Sequence, residues 1–223
     1  MCVWTIAVTI AAQFIVGYPL IWIFGPSFLV SAVGEAIYSA LVYILALLLI
    51  IFVPWKIFKK WKTNPEEVGI QGLPTWTDIG LAPVGFIVSL ILAGIFLAVF
   101  SLFPWFDAEE VQDVGFHFLD GGFDRIVAFI TLVIVAPVAE ELIFRGWLYG
   151  KLRAKLNMPL AIFLVSLAFG IVHGQWNVGV NVFALSIVLC GLREITGTIY
   201  SGILVHMIKN GIAFFLLYII GIV

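Results

Sequence analysis

Glu140, Glu141, Arg145, His173, His206 and Asn210 are polar or ionisable residues standing inside apolar runs of this 223-residue chain. Glu140-Glu141-Leu142-Ile143-Phe144-Arg145 follows shortly after Pro137. A charge at the centre of a bilayer costs roughly 2.5–3.5 kcal/mol on insertion scales, so two adjacent carboxylates in an apolar helix call for an explanation. Glu141 and Arg145 are four apart and share a helix face, where they can pair. Glu140 points about 100° away from that face. One carboxylate is then neutralised and the other is left available as a general base. Phe169-Gly170-Ile171-Val172-His173 and His206-Met207-Ile208-Lys209-Asn210 each place two side chains one turn apart on a second and a third helix.

These groups could hydrolyse a peptide bond, which needs an activated water and a partner for the tetrahedral oxyanion. Glu140 is the candidate base, His173 would hold the water with it, and His206 and Asn210 could donate to the oxyanion. Arg145 would orient and neutralise Glu141. Glu140, His173 and His206 also make a plausible zinc set of one carboxylate and two imidazoles. If Glu140 is a ligand, however, no obvious base remains. If it is the base, only two histidines and an amide are left for the metal. The spacing therefore favours a glutamate-activated water without an obligatory metal. No nucleophile signature is present, since Cys2 and Cys190 lie away from the motifs and form neither a disulfide framework nor a metal set. His117 falls in an acidic loop and reads as solvated. The Arg193-Glu194-Ile195-Thr196-Gly197 run reads as a helix end with Gly197 as its stop, and no chemistry is assigned to it.

The elements that must position these residues are membrane helices. The chain is 63% hydrophobic and 11% charged, against about 45–50% apolar and about 25% charged in a soluble domain. Apolar runs predict helices at about 3–24, 34–57, 82–103, 125–155, 159–174, 177–193 and 197–222. The fold class is all-α, a polytopic bundle of about seven to eight transmembrane helices in a single domain over residues 1–223. The first run has no small-residue cleavage site after it and reads as a retained span. The fourth is too long for one crossing and should either leave the bilayer or kink at Pro137. Lys56, Lys59, Lys60 and Lys62, then Lys151, Arg153 and Lys155, then Arg193 all fall on one side, which the positive-inside rule makes cytoplasmic together with the N-terminus. By helix rise, His206 lies ~14 Å past Gly197 and His173 ~21 Å past Pro159, so both can meet Glu140 near mid-depth. The sequence expectation is a pocket reached from the cytoplasmic side.

At these positions the sequence resembles the CAAX-protease and bacteriocin-processing family of intramembrane proteases, also called the Abi or type II CAAX prenyl endopeptidase family. The family pattern of Glu-Glu-x-x-x-Arg, Phe-x-x-x-His and His-x-x-x-Asn is met by Glu140, Glu141 and Arg145, by Phe169 and His173, and by His206 and Asn210. The likeness covers roughly residues 125–215 and includes the run at 193–197. It implies an intramembrane endopeptidase of the cell membrane acting on a membrane-associated peptide, such as a prenylated protein or a leader peptide, with lipid as its surroundings. The family is often called metalloprotease, so a divalent metal such as zinc is a further implied possibility. Nothing in the charge pattern points to nucleic acid. Two other classes fit the buried polar groups: an inactive relative serving as membrane scaffold or bacteriocin-immunity factor, and a proton-coupled transporter. The transporter would show inverted repeats, whereas the polar residues here crowd into one half.

Overall fold

Hydropathy and Gly/Pro punctuation dictate an all-helical chain, because an isolated strand in lipid leaves its backbone unsatisfied while a helix does not. The computed structural model, which describes residues 1–110, 115–116, 119 and 121–221, has this form. Its main helices are α1 (Cys2–Phe24), α2 (Ala32–Ile57), α3 (Trp76–Phe100), α4 (Gly122–Arg153), α5 (Met158–Val172), α6 (Trp176–Thr196) and α7 (Tyr200–Ile220). Six of these, all but α5, are long and apolar enough to cross a membrane, so the chain is a multi-pass membrane protein. Short helices at Pro26–Val30 and Pro65–Val68 sit in the connections. His117, read above as solvated, lies outside the described residues.

One expectation needs correction. A seventh full span was expected at 159–174, but α5 has 15 residues. Those measure about 22 Å, short of the ~30 Å of hydrocarbon. The chain leaves the helix at His173, and Gly174 turns it with φ +74°. The fourth helix, expected either to leave the bilayer or to kink at Pro137, runs unbroken for 32 residues, longer than one crossing needs, and wide π-helical turns at Ile130–Val135 and Leu142–Leu148 absorb the irregularity.

Packing places α6 against α3 and α5, α7 against α3 and α4, and α1 against α2 and α5. Small residues let the helices approach. A Cβ on Gly170 would lie 2.9 Å from the carbonyl oxygen of Gly179, so α5 and α6 cross backbone to backbone.

The basic clusters converge on one face of the bundle. Lys151 donates to the carbonyl of Lys62 and pairs with Glu67 at 2.6 Å. Arg193 donates to the carbonyls of Gly197 and Glu67, and Arg153 pairs with Glu194 at 3.0 Å. Trp4, near the N-terminus, packs edge-on against Phe58 on this face. The other face carries the acidic segment between α3 and α4. There the Asn177 amide donates to the carbonyl of Glu110 at 2.6 Å, and Tyr218 donates to the carbonyl of Gly115 at 3.0 Å.

A buried carboxylate clasps the basic face together. Asp78 closes a capping box with Thr75 at the start of α3. The same carboxylate accepts the hydroxyls of Thr198 and Ser201, each at 2.8 Å. Asp78→Ala orphans four donors at once, the Thr75 N–H and the hydroxyls of Thr75, Thr198 and Ser201, and a charge-assisted hydrogen bond contributes roughly 1.5–3 kcal/mol. The expected result is a loss of about 3 kcal/mol in thermal or denaturant unfolding of the detergent-solubilised protein. An unfolding curve within about 0.5 kcal/mol of wild type, the usual scatter of surface changes, sets the clasp aside.

Candidate active site

α4 delivers two carboxylates to two different environments. Glu141 is completely buried, and its Oε1 lies 3.0 Å from Nη1 of the equally buried Arg145. The Arg145 guanidinium lies over the Phe169 ring, 4.2 Å from its centroid. Glu141 Oε1 also accepts the Nδ1–H of His206 at 3.2 Å, because a carboxylate there can only accept. Gly202 on α7 makes room for this carboxylate, since a Cβ there would stand 2.9 Å from Glu141 Oε2. Glu140 instead faces a cavity, with 17% of its side chain exposed. It accepts a hydrogen bond from the Tyr43 hydroxyl of α2 at 2.6 Å. His206 Nε2 stands 3.8 Å from Glu140 Oε2.

Phe169 is the apolar hub of the group. Its ring meets Phe144, His173 and His206 edge-on, with centroids 4.9, 4.7 and 6.0 Å away. His173 sits at the C-terminal end of α5 rather than within it. Its Nδ1 lies 2.7 Å from the Phe169 carbonyl, one of the acceptors a helix end leaves unpaired. A carbonyl takes a donor, so Nδ1 carries the hydrogen and Nε2 keeps its lone pair.

Asn210 has a role that spacing did not reveal. In the π-helical turn of α4 the Ala136 N–H reaches back to the carbonyl of Thr131. The next bond of that ladder would run from residue 137 to Leu132, but residue 137 is a proline with no N–H. The Asn210 amide supplies the missing donor, at 2.9 Å from the Leu132 carbonyl. One of its two amide hydrogens is therefore committed to helix-to-helix packing and is not free for an oxyanion.

The cavity encloses about 550 Å³, and Glu140, His173, His206, Lys209 and Asn210 all line it. Tyr43 and Lys209 are site residues that sequence reasoning passed over. Tyr43 carried no local signal, being 97 residues from its partner. Lys209 did carry one, as a cation inside an apolar helix. From the level of Glu140 the lining continues past Tyr38 to Glu35, Gly115 and Tyr218, on the face that bears the acidic segment. No lining residue comes from 54–80, 149–157 or 193–200, the stretches that build the basic face. A cavity reached from the basic side was expected. Depth arithmetic set the level of the site but could not say which end of the bundle is filled.

The zinc set considered from sequence does not assemble. Among the described residues no three His, Cys, Asp or Glu side chains converge as metal ligands. Nδ1 of each histidine is held, by the Phe169 carbonyl or by Glu141, which leaves Nε2 as the ring nitrogen still available, and Glu140 is held by Tyr43. No step is therefore routed through a metal. Cys190 is fully buried on α6, away from the cavity lining.

Residues 122–212, from the start of α4 into α7, match the family model described as type II CAAX prenyl endopeptidase Rce1-like. Glu140, Glu141, Arg145, Phe169, His173, His206, Lys209 and Asn210 lie in that span, whereas Tyr43 and the lining residues Glu35, Tyr38, Gly115 and Tyr218 do not. The protein named "Putative membrane peptidase YdiL" from Bacillus subtilis (strain 168) is 33% identical over 81 residues. That stretch is 36% of this chain and 33% of the relative, so the chain matches about a third of its length. No solved structure matches.

Proposed function

We propose that this chain, whose residues 122–212 match the Rce1-like family of membrane endopeptidases, is an intramembrane endopeptidase that works by a glutamate-activated water. The observation that carries the reading is the division between the carboxylates: Glu141 is sealed against Arg145 and His206, while Glu140 faces the cavity.

In this mechanism a water sits between Glu140 and the Nε2 lone pair of His173. Glu140 takes one of its protons as the water oxygen adds to the scissile carbonyl carbon. The carbonyl electrons move onto oxygen, and the oxyanion forms beside the Lys209 ammonium, in the cavity that His206 also lines. Collapse re-forms the carbonyl and breaks the C–N bond. The proton held by Glu140 goes to the leaving amine, so the base returns to its starting state. The Glu141–Arg145 pair and the Nδ1 bond keep His206 oriented throughout. Tyr43 fixes the rotamer of Glu140, which improves the geometry of attack.

Incubating the nanodisc-reconstituted protein with a library of membrane-associated peptides tests the reading. Defined products with new N- and C-termini are expected. Intact peptides across the library would favour a non-catalytic scaffold on the same fold. The same assay separates the two forms of the chemistry, because the metal-free route predicts activity within about twofold of untreated enzyme after exhaustive chelation. Loss on chelation with recovery on adding zinc would show that a metal supplies the activated water.

A further inference from the structure

We infer that the cavity is entered from the extracytoplasmic side, so that the substrate is a peptide segment presented at the outer face of the membrane rather than a tail presented in the cytoplasm. Two independent observations meet here.

The first is the charge asymmetry of the assembled bundle. Lys56, Lys59, Lys60, Lys62, Lys151, Arg153, Lys155 and Arg193 lie in three stretches of sequence. The contacts of Lys151 with Lys62 and Glu67, and of Arg193 with Glu67, bring those stretches together on one face. Of the remaining cations, Arg145 and Lys209 are in the bundle interior and Arg125 alone lies near the opposite face. Lys and Arg next to the ends of spans set orientation, so the face carrying eight of them is the cytoplasmic one. Ring contact between Trp4 and Phe58 ties the N-terminus to the same face.

The second observation is the reach of the cavity. Its lining runs from Glu140 and His206 at mid-depth to Glu35, Gly115 and Tyr218. The Tyr218–Gly115 hydrogen bond fixes the end of α7 to the acidic segment, so this end of the cavity is on the face opposite the lysines. On the cytoplasmic side the way is closed. There Arg145, Trp147 and Leu148 are fully buried beneath Lys151, and the Asp78 clasp joins α3 to α7. The neighbouring segment carries Asp107, Glu109 and Glu110, which favours a peptide whose flank at the outer surface is neutral or basic.

The substrate class rests on the protease reading, whereas the side of entry does not, and one experiment separates them. In a Cys2→Ser background, with the buried Cys190 retained as the blank, single cysteines replace Leu217 at the mouth and Lys60 on the opposite face. Each is treated with a membrane-impermeant maleimide in intact spheroplasts and in inside-out vesicles. The expected result is labelling of Leu217→Cys in spheroplasts and of Lys60→Cys only in inside-out vesicles. Labelling of Leu217→Cys only in inside-out vesicles, or of both positions from one side, overturns the proposal. A protein that cleaves nothing yet labels as expected keeps the entrance and loses the protease. One that cleaves but labels from the inside keeps the protease and loses the entrance. In an active protein, outside addition of the maleimide should also stop cleavage by Leu217→Cys more than tenfold while sparing Lys60→Cys.

Discussion

Glu140→Gln is expected to abolish peptide cleavage while leaving the folded protein intact. A positioned general base contributes about 10²–10⁴ in rate, so kcat should fall by that factor. The substitution is nearly isosteric. The amide oxygen can still accept the Tyr43 hydroxyl that lies 2.6 Å from Oε1, so the side chain keeps its rotamer and α2 keeps its contact. What is lost is the lone pair of a carboxylate able to take a proton from water. Since Glu140 borders the cavity rather than a sealed ion pair, the change should leave the unfolding transition close to wild type. Cleavage by Glu140→Gln within about threefold of wild type, a change far below the base contribution, would falsify its role as base. A protein in which Glu141→Gln is dead and Glu140→Gln active would exchange the roles of the two carboxylates.

The helices and the contacts between them were not equally visible in the amino-acid sequence. The helices were legible because lipid forces each crossing to be a long apolar run, and Gly25-Pro26, Asn64-Pro65 and Phe103-Pro104 mark the breaks between them. The different environments of Glu140 and Glu141 also follow from local rules, since residues four apart share a helix face and adjacent residues do not. Contacts that span the fold were silent. Nothing near Tyr43 signals that its hydroxyl meets a carboxylate on α4. Nothing near Asn210 signals that its amide completes a backbone ladder interrupted by Pro137. Residue spacing assumes a 3.6-residue period, and π-helical turns on either side of Glu140 break that assumption where the site is built. The length of α5 was overread for a related reason. The apolar run continues through Val172, the last residue of α5, so hydropathy alone could not place His173 at the helix end.

Arg145→Ala is expected to cause the largest loss of stability, and the reason is electrostatic rather than volumetric. In the wild type, Arg145 and Glu141 are both fully buried and 3.0 Å apart. Each cancels most of the cost of burying the other. Removing the guanidinium strands Glu141 in a dry interior, where His206 Nδ1 at 3.2 Å is its remaining donor among the described residues. It also removes the cation lying 4.2 Å from the centre of the Phe169 ring. Breaking one member out of a buried pair costs about 3–5 kcal/mol, and a cation–π contact about 2 kcal/mol when desolvated. The variant should show a much lower unfolding midpoint in detergent and a smaller folded fraction after reconstitution. The double variant Glu141→Gln with Arg145→Met separates charge from packing, because it removes both charges and restores most of the volume. If the stranded charge is the cause, the double variant is more stable than Arg145→Ala by at least about 2 kcal/mol, a non-additivity typical of directly coupled pairs. Equal instability of the two would show that the loss comes from the cavity left beneath Phe169 instead. The double variant should still cleave poorly. Glu141 orients the His206 imidazole, and a glutamine, whose amide can present nitrogen as readily as oxygen, no longer fixes which ring nitrogen carries the hydrogen.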